Sequence, residues 1–398
     1  MWGLGVDEFF AGFSLTNAAD WAAVICYAAA VLGCLYALAA AWAARGFAHA
    51  APAPAKAYPP VSILKPLHGT EPNLYANLAR FCAQDYPSPV QIVFGVADPA
   101  DPAIAIVRNL IAAFPDRDLQ LVVNARRHGS NRKVSNLINM AGQARHDVLV
   151  ISDSDIIVGP DYLSSIVASL DGPGVGLVTC LYRGAATTGP WARLAAAAID
   201  YHFLPSALVG LKLGLAEPCF GSTIAIRKKT LAMIGGFEAV VEQLADDYAL
   251  GALVRRAGLS VAIPSMIVAH DCTQTTALDF FRHELRWART IRSVDPLGYA
   301  GLAITHAVPL ALLGVLLGGM TPAATIVITA LACRFILQME LDRAFHLRGD
   351  FYWMGPLRDI ASFAVFVASF FGRGVEWRGH RYGVQAGNTL AYYGEVES

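Results

Sequence analysis

Long apolar stretches lie at the two ends of the chain, and between them short apolar runs alternate with polar segments. The first stretch, 21–44, can cross a bilayer, because a membrane-spanning helix takes about 20 apolar residues. Apolar stretches return at 301–320, 323–339 and 360–371. The last of these is short and has basic residues on both sides, which favours a re-entrant or interfacial segment. The pattern predicts an amino-terminal transmembrane helix and carboxy-terminal membrane segments.

Charges around the first stretch indicate its orientation. Asp7, Glu8 and Asp20 precede it, whereas Arg45 and Lys56 follow it. By the positive-inside rule, the amino terminus is expected outside and the rest of the chain in the cytoplasm. A cleaved signal peptide is disfavoured, because the apolar run is too long and the opening is acidic.

The middle of the chain predicts an α/β fold. Short β-branched runs alternate with segments whose apolar residues have helical spacing, an order typical of a parallel sheet covered by helices. The predicted strands are 61–64, 90–96, 119–123, 148–152 and 175–179, and the predicted helices are 74–84, 104–114 and 133–141.

Four segments are expected along the chain. They are an anchor at 1–47, an Ala/Pro linker at 48–60, an α/β catalytic domain at 61–298, and membrane segments with a basic tail at 299–398. Three apolar segments after the domain are too few to line a transport pore.

Composition agrees with a membrane protein. Hydrophobic residues make up 55% of the 398 positions and charged residues 15%, whereas soluble proteins average about 25% charged residues. The formal net charge is -1 without a long basic run, which excludes nucleic acid as a partner. Seven cysteines occur singly, as expected for reduced, buried thiols in a cytosolic catalytic part.

Acidic residues follow the predicted strands, where ligands bind in parallel sheets. Asp98 follows one strand, and Asp153 and Asp155 follow another in the sequence ISDSDI. Two carboxylates at this spacing can meet one divalent cation, Mg²⁺ or Mn²⁺, that bridges to a diphosphate and acts as a Lewis acid. Such a triplet alone is also typical of a helix cap or a solvated turn.

Asp246 and Asp247 open a helical stretch, LADDYALGALVRRAG. Carboxylates there can cap the helix and complement its dipole. Because adjacent side chains point in different directions, one carboxylate can cap while the other takes a proton from an acceptor hydroxyl.

An arginine stripe follows in FFRHELRWARTIR. Arg282, Arg286, Arg289 and Arg292 recur at helical spacing beside Trp287. In one interpretation the stripe faces anionic lipid headgroups. In the other, Arg286 binds the donor diphosphate and Trp287 packs against a face of the sugar or acceptor.

Three further positions have two interpretations each. His202, in a long apolar helical stretch, is either satisfied by a neighbour or lies at an acceptor entrance. Gly221 either lets the backbone approach a donor or permits a turn. His270 either belongs to a capped loop after a strand or reaches the metal.

Together these motifs resemble the family-two glycosyltransferases, in the ceramide-glucosyltransferase-like branch. The branch pattern is an aspartate after the second strand, a DxD-type site, an acidic-Asp pair and a (Q/R)xxRW motif. The matching positions are Asp98, Asp153-Ser-Asp155, Asp246-Asp247 and His283-Glu-Leu-Arg286-Trp287, with LKPLHGTEPNLYANLARFCAQDYP, NRKVSNL around Lys133, and WRGHRY near the carboxy terminus.

The resemblance implies a GT-A domain that faces the cytoplasm of a bacterial inner membrane. It also implies an inverting displacement that joins a sugar from a UDP-sugar to a lipid. The implied roles are uridine contact for Asp98, nucleotide contact for Lys133, diphosphate and metal for Asp153 and Asp155, base for Asp247 of the Asp246-Asp247 pair, and closure of the donor site for Arg286 and Trp287. His283 stands where the pattern has Gln or Arg, at a donor-site position.

Within that branch, the hopanoid-associated N-acetylglucosaminyltransferases are similar through RHGSNRKVSNLIN, LVTCLYRG, CFGSTIAIR and LADDYALG. This similarity implies transfer of N-acetylglucosamine from UDP-N-acetylglucosamine to the terminal hydroxyl of bacteriohopanetetrol. Ceramide glucosylation from UDP-glucose is the alternative. Animal ceramide enzymes tend to have Asp-Ser-Gly at the metal site, whereas Asp155 is present here.

Overall fold

The computed structural model describes residues 18–50, 56–318, 321–347, 352–372, 374–377, 380–384 and 390–395. Asp7 and Glu8 of the acidic flank lie outside these residues, as does part of the Ala/Pro linker. The described residues form two compact units. The α/β unit comprises 49–199, 216–286 and the strands after 373, and the helical unit comprises 18–48, 200–215 and 287–372.

The α/β unit contains three sheets. The described strands are β1 (Val61–Pro66), β2 (Val90–Val96), β3 (Asp118–Val123), β4 (Val148–Ile151), β5 (Ile156–Ile157), β6 (Val175–Thr179), β7 (Leu181–Ala186), β8 (Ile224–Arg227), β9 (Ser260–Ala262), β10 (Ile267–Cys272), β11 (Gly374–Trp377), β12 (His380–Val384) and β13 (Leu390–Glu395).

The main sheet has seven strands in the order β3-β2-β1-β4-β8-β6-β9. Strands β1 to β4 pair in parallel, and β8 runs antiparallel to β4 and β6. A second sheet has the order β5-β10-β7, and the third is the meander β11-β12-β13. The predicted α/β fold with a mostly parallel sheet is confirmed. The antiparallel β8 and the second sheet were not predicted, because short strands have little periodicity of their own.

The helices that cover the sheet and those of the helical unit follow in chain order. They are α1 (Ala18–Ala48), α2 (Leu74–Cys82), α3 (Ala103–Ala113), α4 (Arg132–Ala141), α5 (Tyr162–Leu170), α6 (Pro190–Ala198), α7 (Leu204–Lys212), α8 (Lys228–Met233), α9 (Asp246–Arg256), α10 (Ala277–Val294), α11 (Pro296–Gly301), α12 (Ala307–Gly318), α13 (Thr321–Phe345) and α14 (Gly355–Ser369).

Both faces of the main sheet are buried, which explains why its central strands are continuous apolar runs. Ile63 of β1 belongs to a core with residues of α2, α3 and α5. The next residue, Leu64, points to the other face and packs in a core with residues of α4 and α9. The predicted strands and helices therefore match observed elements, with ends that differ by a few residues.

Helix α1 packs closely against the bent segment that precedes and includes α12. A Cβ atom on Gly33 would lie 2.5 Å from the backbone oxygen of Ile304, and one on Gly314 would lie 2.5 Å from the ring of Tyr27. Small residues of this kind let membrane helices approach each other, since lipid provides little hydrophobic drive for their association.

Among the residues that the structure describes, three helices are long and apolar enough to cross a membrane, namely Ala18–Ala48, Pro190–Lys212 and Ala323–Phe345. The predicted first span and the predicted span at 323–339 lie within two of them. The remaining helix, Pro190–Lys212, contains a π-helical segment, Ile199–Phe203, between α6 and α7. The apolar stretch 301–320 is not one straight helix, because its part of the chain bends by 72° between Pro296–Thr305 and Ala307–Gly318.

Candidate active site

The turn Asp153-Ser154-Asp155 leaves the carboxyl end of β4 and leads into β5. Lys65, buried in β1, donates a hydrogen bond to the backbone oxygen of Asp153. The hydroxyl of Ser154 donates to Glu71 Oε1 at 3.0 Å. The side chains of Asp153 and Asp155 keep about a third of their surface exposed. The buried strand therefore presents both carboxylates at an accessible sheet edge.

Lys133 brings two of the predicted acidic sites together. Its Nζ lies 2.7 Å from Asp153 Oδ1 and 3.6 Å from Asp246 Oδ2. Burial alone lowers the pKa of Lys133, but the carboxylates of Asp153, Asp246 and Asp247 outweigh it and raise that pKa above its usual value. Lys133 is therefore a fixed positive charge.

Asn131 caps helix α4 and holds Lys133 near the acid pair. Its Oδ1 accepts from Val134 N at 3.1 Å, while its Nδ2 donates to Gln243 O at 2.8 Å and to Asp246 Oδ1 at 3.3 Å. One buried amide thus joins the first turn of α4 to the segment that starts α9.

Both carboxylate oxygens of Asp247 accept hydrogen bonds from backbone N–H groups. Gly221 N donates to Oδ2 at 2.6 Å, and Tyr248 N donates to Oδ1 at 2.8 Å. Burial, and then the charge of Asp246, raise the pKa of Asp247 to about 6, although Lys133 opposes the shift. A carboxyl group with this pKa can accept a proton near neutral pH.

Gly221 marks the point where these groups converge. A Cβ atom there would lie 3.0 Å from Asp153 Oδ2, 3.1 Å from Lys133 Nζ and 3.3 Å from Asp247 Oδ2. The backbone approaches the charged groups closely because this residue has no side chain.

Imidazole and phenol rings lie beside Asp155. His270 Nδ1 is 3.6 Å from Asp155 Oδ2, and its ring centroid lies 6.0 Å from Tyr182 and 6.2 Å from His283. His270 belongs to β10, so the capped loop expected around it is wrong. Burial, Arg286 and His270 lower the pKa of His283 well below its usual value, which keeps that imidazole neutral.

Two further predicted residues, Asp98 and Trp287, lie after β2 and on α10. Asp98 is exposed after β2, and its Oδ1 accepts from Ala100 N at 2.8 Å. Within the described part of the chain, no hydrogen bond or ion pair joins Asp98 to Lys133 or Asp153. Trp287, half-buried, follows Arg286 on α10.

Two arginines of the predicted stripe have a structural partner. The Nη2 atoms of Arg289 and Arg292 donate to the backbone oxygens of Phe371 and Gly372, each at 2.8 Å. Cations at these carbonyl groups, just after α14, complement the dipole of that helix.

Lys65 and Asn131 are not among the residues predicted from the sequence. A signal for Lys65 is its position inside the apolar run VSILKP, because a lysine in a buried strand requires polar partners. Asn131 directly precedes the first helical residue, a position where asparagine is a preferred cap. Its contacts with Gln243 and Asp246 have no sequence signal.

The donor atoms present suit a divalent cation that is shared with a ligand. Among the described residues, no group of three or more His, Cys, Asp or Glu side chains could hold a metal ion. Mg²⁺ is commonly held by one or two carboxylates together with water and substrate phosphates. Asp153 and Asp155, with partly exposed carboxylates two residues apart, supply that number.

A solved structure has a similar fold. The chain is similar to a mannosyltransferase of Pyrobaculum calidifontis in complex with GDP-Man and Mn²⁺, with a TM-score of 0.53 and 20% identity over 87% of this chain and 99% of that one. The mostly parallel sheet and this likeness define the class of fold as GT-A.

The family follows from the sequence comparison. The model of the family described as "Glycosyl transferase family 21" matches residues 25–390. The chain belongs to glycosyl transferase family 21. The predicted resemblance to the ceramide-glucosyltransferase-like branch is confirmed. Its apolar helices and its family together make it a membrane protein.

Two relatives extend the comparison. Ceramide glucosyltransferase 1 of Caenorhabditis elegans is 28% identical over 239 residues, 58% of this chain and 49% of the relative. An N-acetylglucosaminyltransferase of Rhizobium meliloti is 26% identical over 254 residues, 61% of this chain and 58% of the relative. The chain thus matches about half the length of these curated relatives.

Proposed function

We propose that the chain is an inverting, metal-dependent glycosyltransferase that moves a hexose from a UDP-sugar to a hydroxyl group of a membrane lipid. The observation that carries the proposal is the convergence of Lys133, Asp153 and Asp247 at Gly221. A fixed cation, a metal-binding carboxylate and a proton acceptor meet there at the ends of the strands.

Asp247 acts as the general base. It takes the proton of the acceptor hydroxyl, whose oxygen bonds to the anomeric carbon of the sugar as the bond from that carbon to the diphosphate breaks. The proton ends on Asp247 and UDP leaves with the electron pair of the broken bond. A single displacement inverts the anomeric configuration. The pKa of about 6 supports this role, because the carboxylate is then ionised at neutral pH yet basic enough to accept a proton.

Asp153 and Asp155 hold the divalent cation, Mg²⁺ or Mn²⁺. Such an ion supplies Lewis acidity that neutralises charge on the departing diphosphate. Lys133 fixes one oxygen of Asp153, so the other oxygen and Asp155 remain for the ion.

The other predicted residues bind the donor. Asp98 contacts the uridine, and Arg286, Trp287 and His283 close the donor site. The neutral imidazole of His283 supports contact with an uncharged sugar hydroxyl or amide. Asp246 stays paired with Lys133 and keeps Asp247 basic through its charge.

The catalytic side faces the cytoplasm of a bacterial inner membrane. Support comes from the basic residue Arg45 at the end of α1, whereas Asp20 lies in its first turn. A nucleotide sugar is made in the cytoplasm, so the donor reaches the α/β unit from that side.

For the two substrates, we propose N-acetylglucosamine as the sugar and the terminal hydroxyl of a hopanoid, bacteriohopanetetrol, as the acceptor. The motifs around Lys133 and Asp247, the presence of Asp155, and the bacterial N-acetylglucosaminyltransferase relative support it. Ceramide glucosylation is the second candidate, which the ceramide glucosyltransferase relatives favour.

A product assay decides between the two candidates. Purified enzyme in lipid receives radiolabelled UDP-N-acetylglucosamine or UDP-glucose, each with bacteriohopanetetrol and with ceramide. Label that moves from UDP-N-acetylglucosamine to the hopanoid, and that is lost with EDTA, is the expected result. Glucose on ceramide would replace the proposed substrates with those of the second candidate. Absence of any lipid product in all four mixtures would contradict lipid glycosylation itself.

A further inference from the structure

A cluster of buried polar side chains lies inside the helical unit, among helices that are otherwise apolar. Arg334 of α13 forms two hydrogen bonds with Asp359 of α14, Nε to Oδ2 at 2.9 Å and Nη2 to Oδ1 at 2.7 Å. Their side chains are only 5% and 4% exposed. His202 Nε2 lies 3.0 Å from Asp359 Oδ1. Ionisable groups inside membrane helices are rare and mark functional sites.

Two interruptions of helical backbone contribute to this cluster. The π-helical segment Ile199–Phe203 contains Tyr201, whose backbone oxygen accepts from Nη1 and Nη2 of Arg334, each at 3.1 Å. His306 stands at the break between Leu302–Thr305 and α12. Single π-helical turns are frequent at functional sites. Broken helices at membrane depth occur where they pack inside protein or line a cavity.

Two neutral polar atoms of the cluster lack hydrogen bonds. Within the part of the chain that the structure describes, His306 Nδ1 and Ser362 Oγ have no partner, although the two residues are only 6% and 8% exposed. Buried polar atoms are nearly always hydrogen-bonded in native proteins, so an unsatisfied pair indicates a missing partner such as a ligand.

His306 packs against the face of α14 that carries Ser362. Asp359, Ser362, Phe363 and Phe366 are at helical spacing on one face of α14. The ring centroid of His306 lies 5.4 Å from Phe363 and 5.1 Å from Phe366. On its other side, His306 stacks on His202 at 6.0 Å. This packing holds the imidazole over the face of α14 that carries Ser362.

We infer that His306 and Ser362 form a binding site for the hydroxyl groups of a lipid headgroup, held in place by the Arg334–Asp359 ion pair and His202. The inference rests on the proposed glycosylation of a lipid and adds a site for its acceptor. An imidazole nitrogen and a hydroxyl can each exchange hydrogen bonds with a lipid hydroxyl. The neighbouring phenylalanine rings suit the hydrocarbon beside such a headgroup.

Asp359 balances the charge of Arg334, so this ion pair adds no net charge to the site. Arg358, one turn before Ser362, is also buried. An anionic phospholipid is therefore the competing ligand that the experiment has to exclude.

The test uses the full chain in nanodiscs of phosphatidylcholine, with ceramide and bacteriohopanetetrol as probes. Ser362→Ala is expected to raise the acceptor KM and the dissociation constant of the probe about tenfold, the effect of one lost hydrogen bond. The KM for the UDP-sugar stays unchanged. His306→Phe has a similar effect, whereas His306→Asn retains more binding because the asparagine amide puts a polar group near the Nδ1 position.

Ser369→Ala is the matched control. This serine is also buried in α14, but its hydroxyl donates to Phe366 O at 2.6 Å, so its removal should leave both acceptor constants unchanged. Thermal unfolding of each variant in detergent separates loss of binding from loss of folding.

Unchanged acceptor binding in Ser362→Ala and His306→Phe, while transfer continues, would overturn the inference and leave the proposed function intact. Displacement of the probe by phosphatidylglycerol, with loss of that displacement in both variants, would also overturn it. A wild-type chain that binds the probes through these two residues, but transfers no sugar, would refute the proposed function alone.

Discussion

At the scale of single residues, the site depends on charges held where burial disfavours them. Asp247 is the clearest case, because burial and the neighbouring charge of Asp246 outweigh Lys133 and raise its pKa to about 6. Protonation below that pH removes the base. We therefore predict that kcat/KM falls as the pH is lowered through about 6. A pH–rate profile measures this, since kcat/KM reports groups of the free enzyme. A profile that stays flat down to pH 5 would contradict the assignment.

Lys65 is a second residue with an unusual environment. Burial lowers its pKa to about 7, against the carboxylates of Asp153 and Asp155. Its ammonium group lies 3.8 Å from the ring centroid of Phe81 and donates to the backbone of Asp153. These contacts indicate that Lys65 positions the acidic turn.

The predicted effect of Lys65→Met is weaker Mn²⁺ binding in the presence of UDP, measured from the signal of free Mn²⁺ by electron paramagnetic resonance. Electrostatics alone predicts tighter Mn²⁺ binding in this variant, because a positive charge that repels the cation is removed. Lys228→Met is the control, since Lys228 also donates to a backbone oxygen, that of Ala144, at 2.6 Å. Equal or tighter Mn²⁺ binding in Lys65→Met would show that the lysine does not position the turn.

At the scale of elements, helices α4 and α9 begin beside each other through Asn131. Asn131→Asp keeps an oxygen that caps Val134 N, but it loses both donated hydrogen bonds and adds a negative charge beside Asp246. We predict a loss of about 1–3 kcal/mol in the free energy of unfolding, together with reduced kcat.

Thermal unfolding and initial rates of Asn131→Asp measure these two effects. Asn139→Asp is the matched control on the same helix, because Asn139 Nδ2 donates to exposed backbone oxygens of Asn124 and Arg126. Equal stability and rate in both variants would mean that the contact with Asp246 has no role in the site.

The elements also show what the sequence can predict. Strands β1, β2 and β4 and helix α4 could be predicted from apolar runs and from helical spacing. Buried faces of strands and helices produce such patterns of apolar residues in the sequence. The bend near His306 and the π-helical segment Ile199–Phe203 produce no such pattern in the sequence. Both contain polar residues within apolar stretches, but no turn or cap signal marks them, so their conformation depends on packing against distant residues.

For the whole molecule, the position of Asp153 and Asp155 at the end of a strand follows from the α/β pattern, since ligands bind beyond the carboxyl ends of parallel strands. The approach of Asp246 to Asp153 through Lys133 was not predicted. The partners of those carboxylates were harder to predict. Lys65 and Asn131 act on them through contacts between residues far apart in the chain. No spacing rule records such contacts, and they become visible once the chain is folded.

The central claim is that this site transfers a sugar with Asp247 as the base. Its most direct test compares Asp247→Asn with the wild-type chain for turnover of a UDP-sugar and for UDP binding by calorimetry. The account predicts a rate reduced at least about a thousandfold, near the upper part of the range for general-base catalysis, with UDP binding retained. Turnover near the wild-type rate in Asp247→Asn would contradict it.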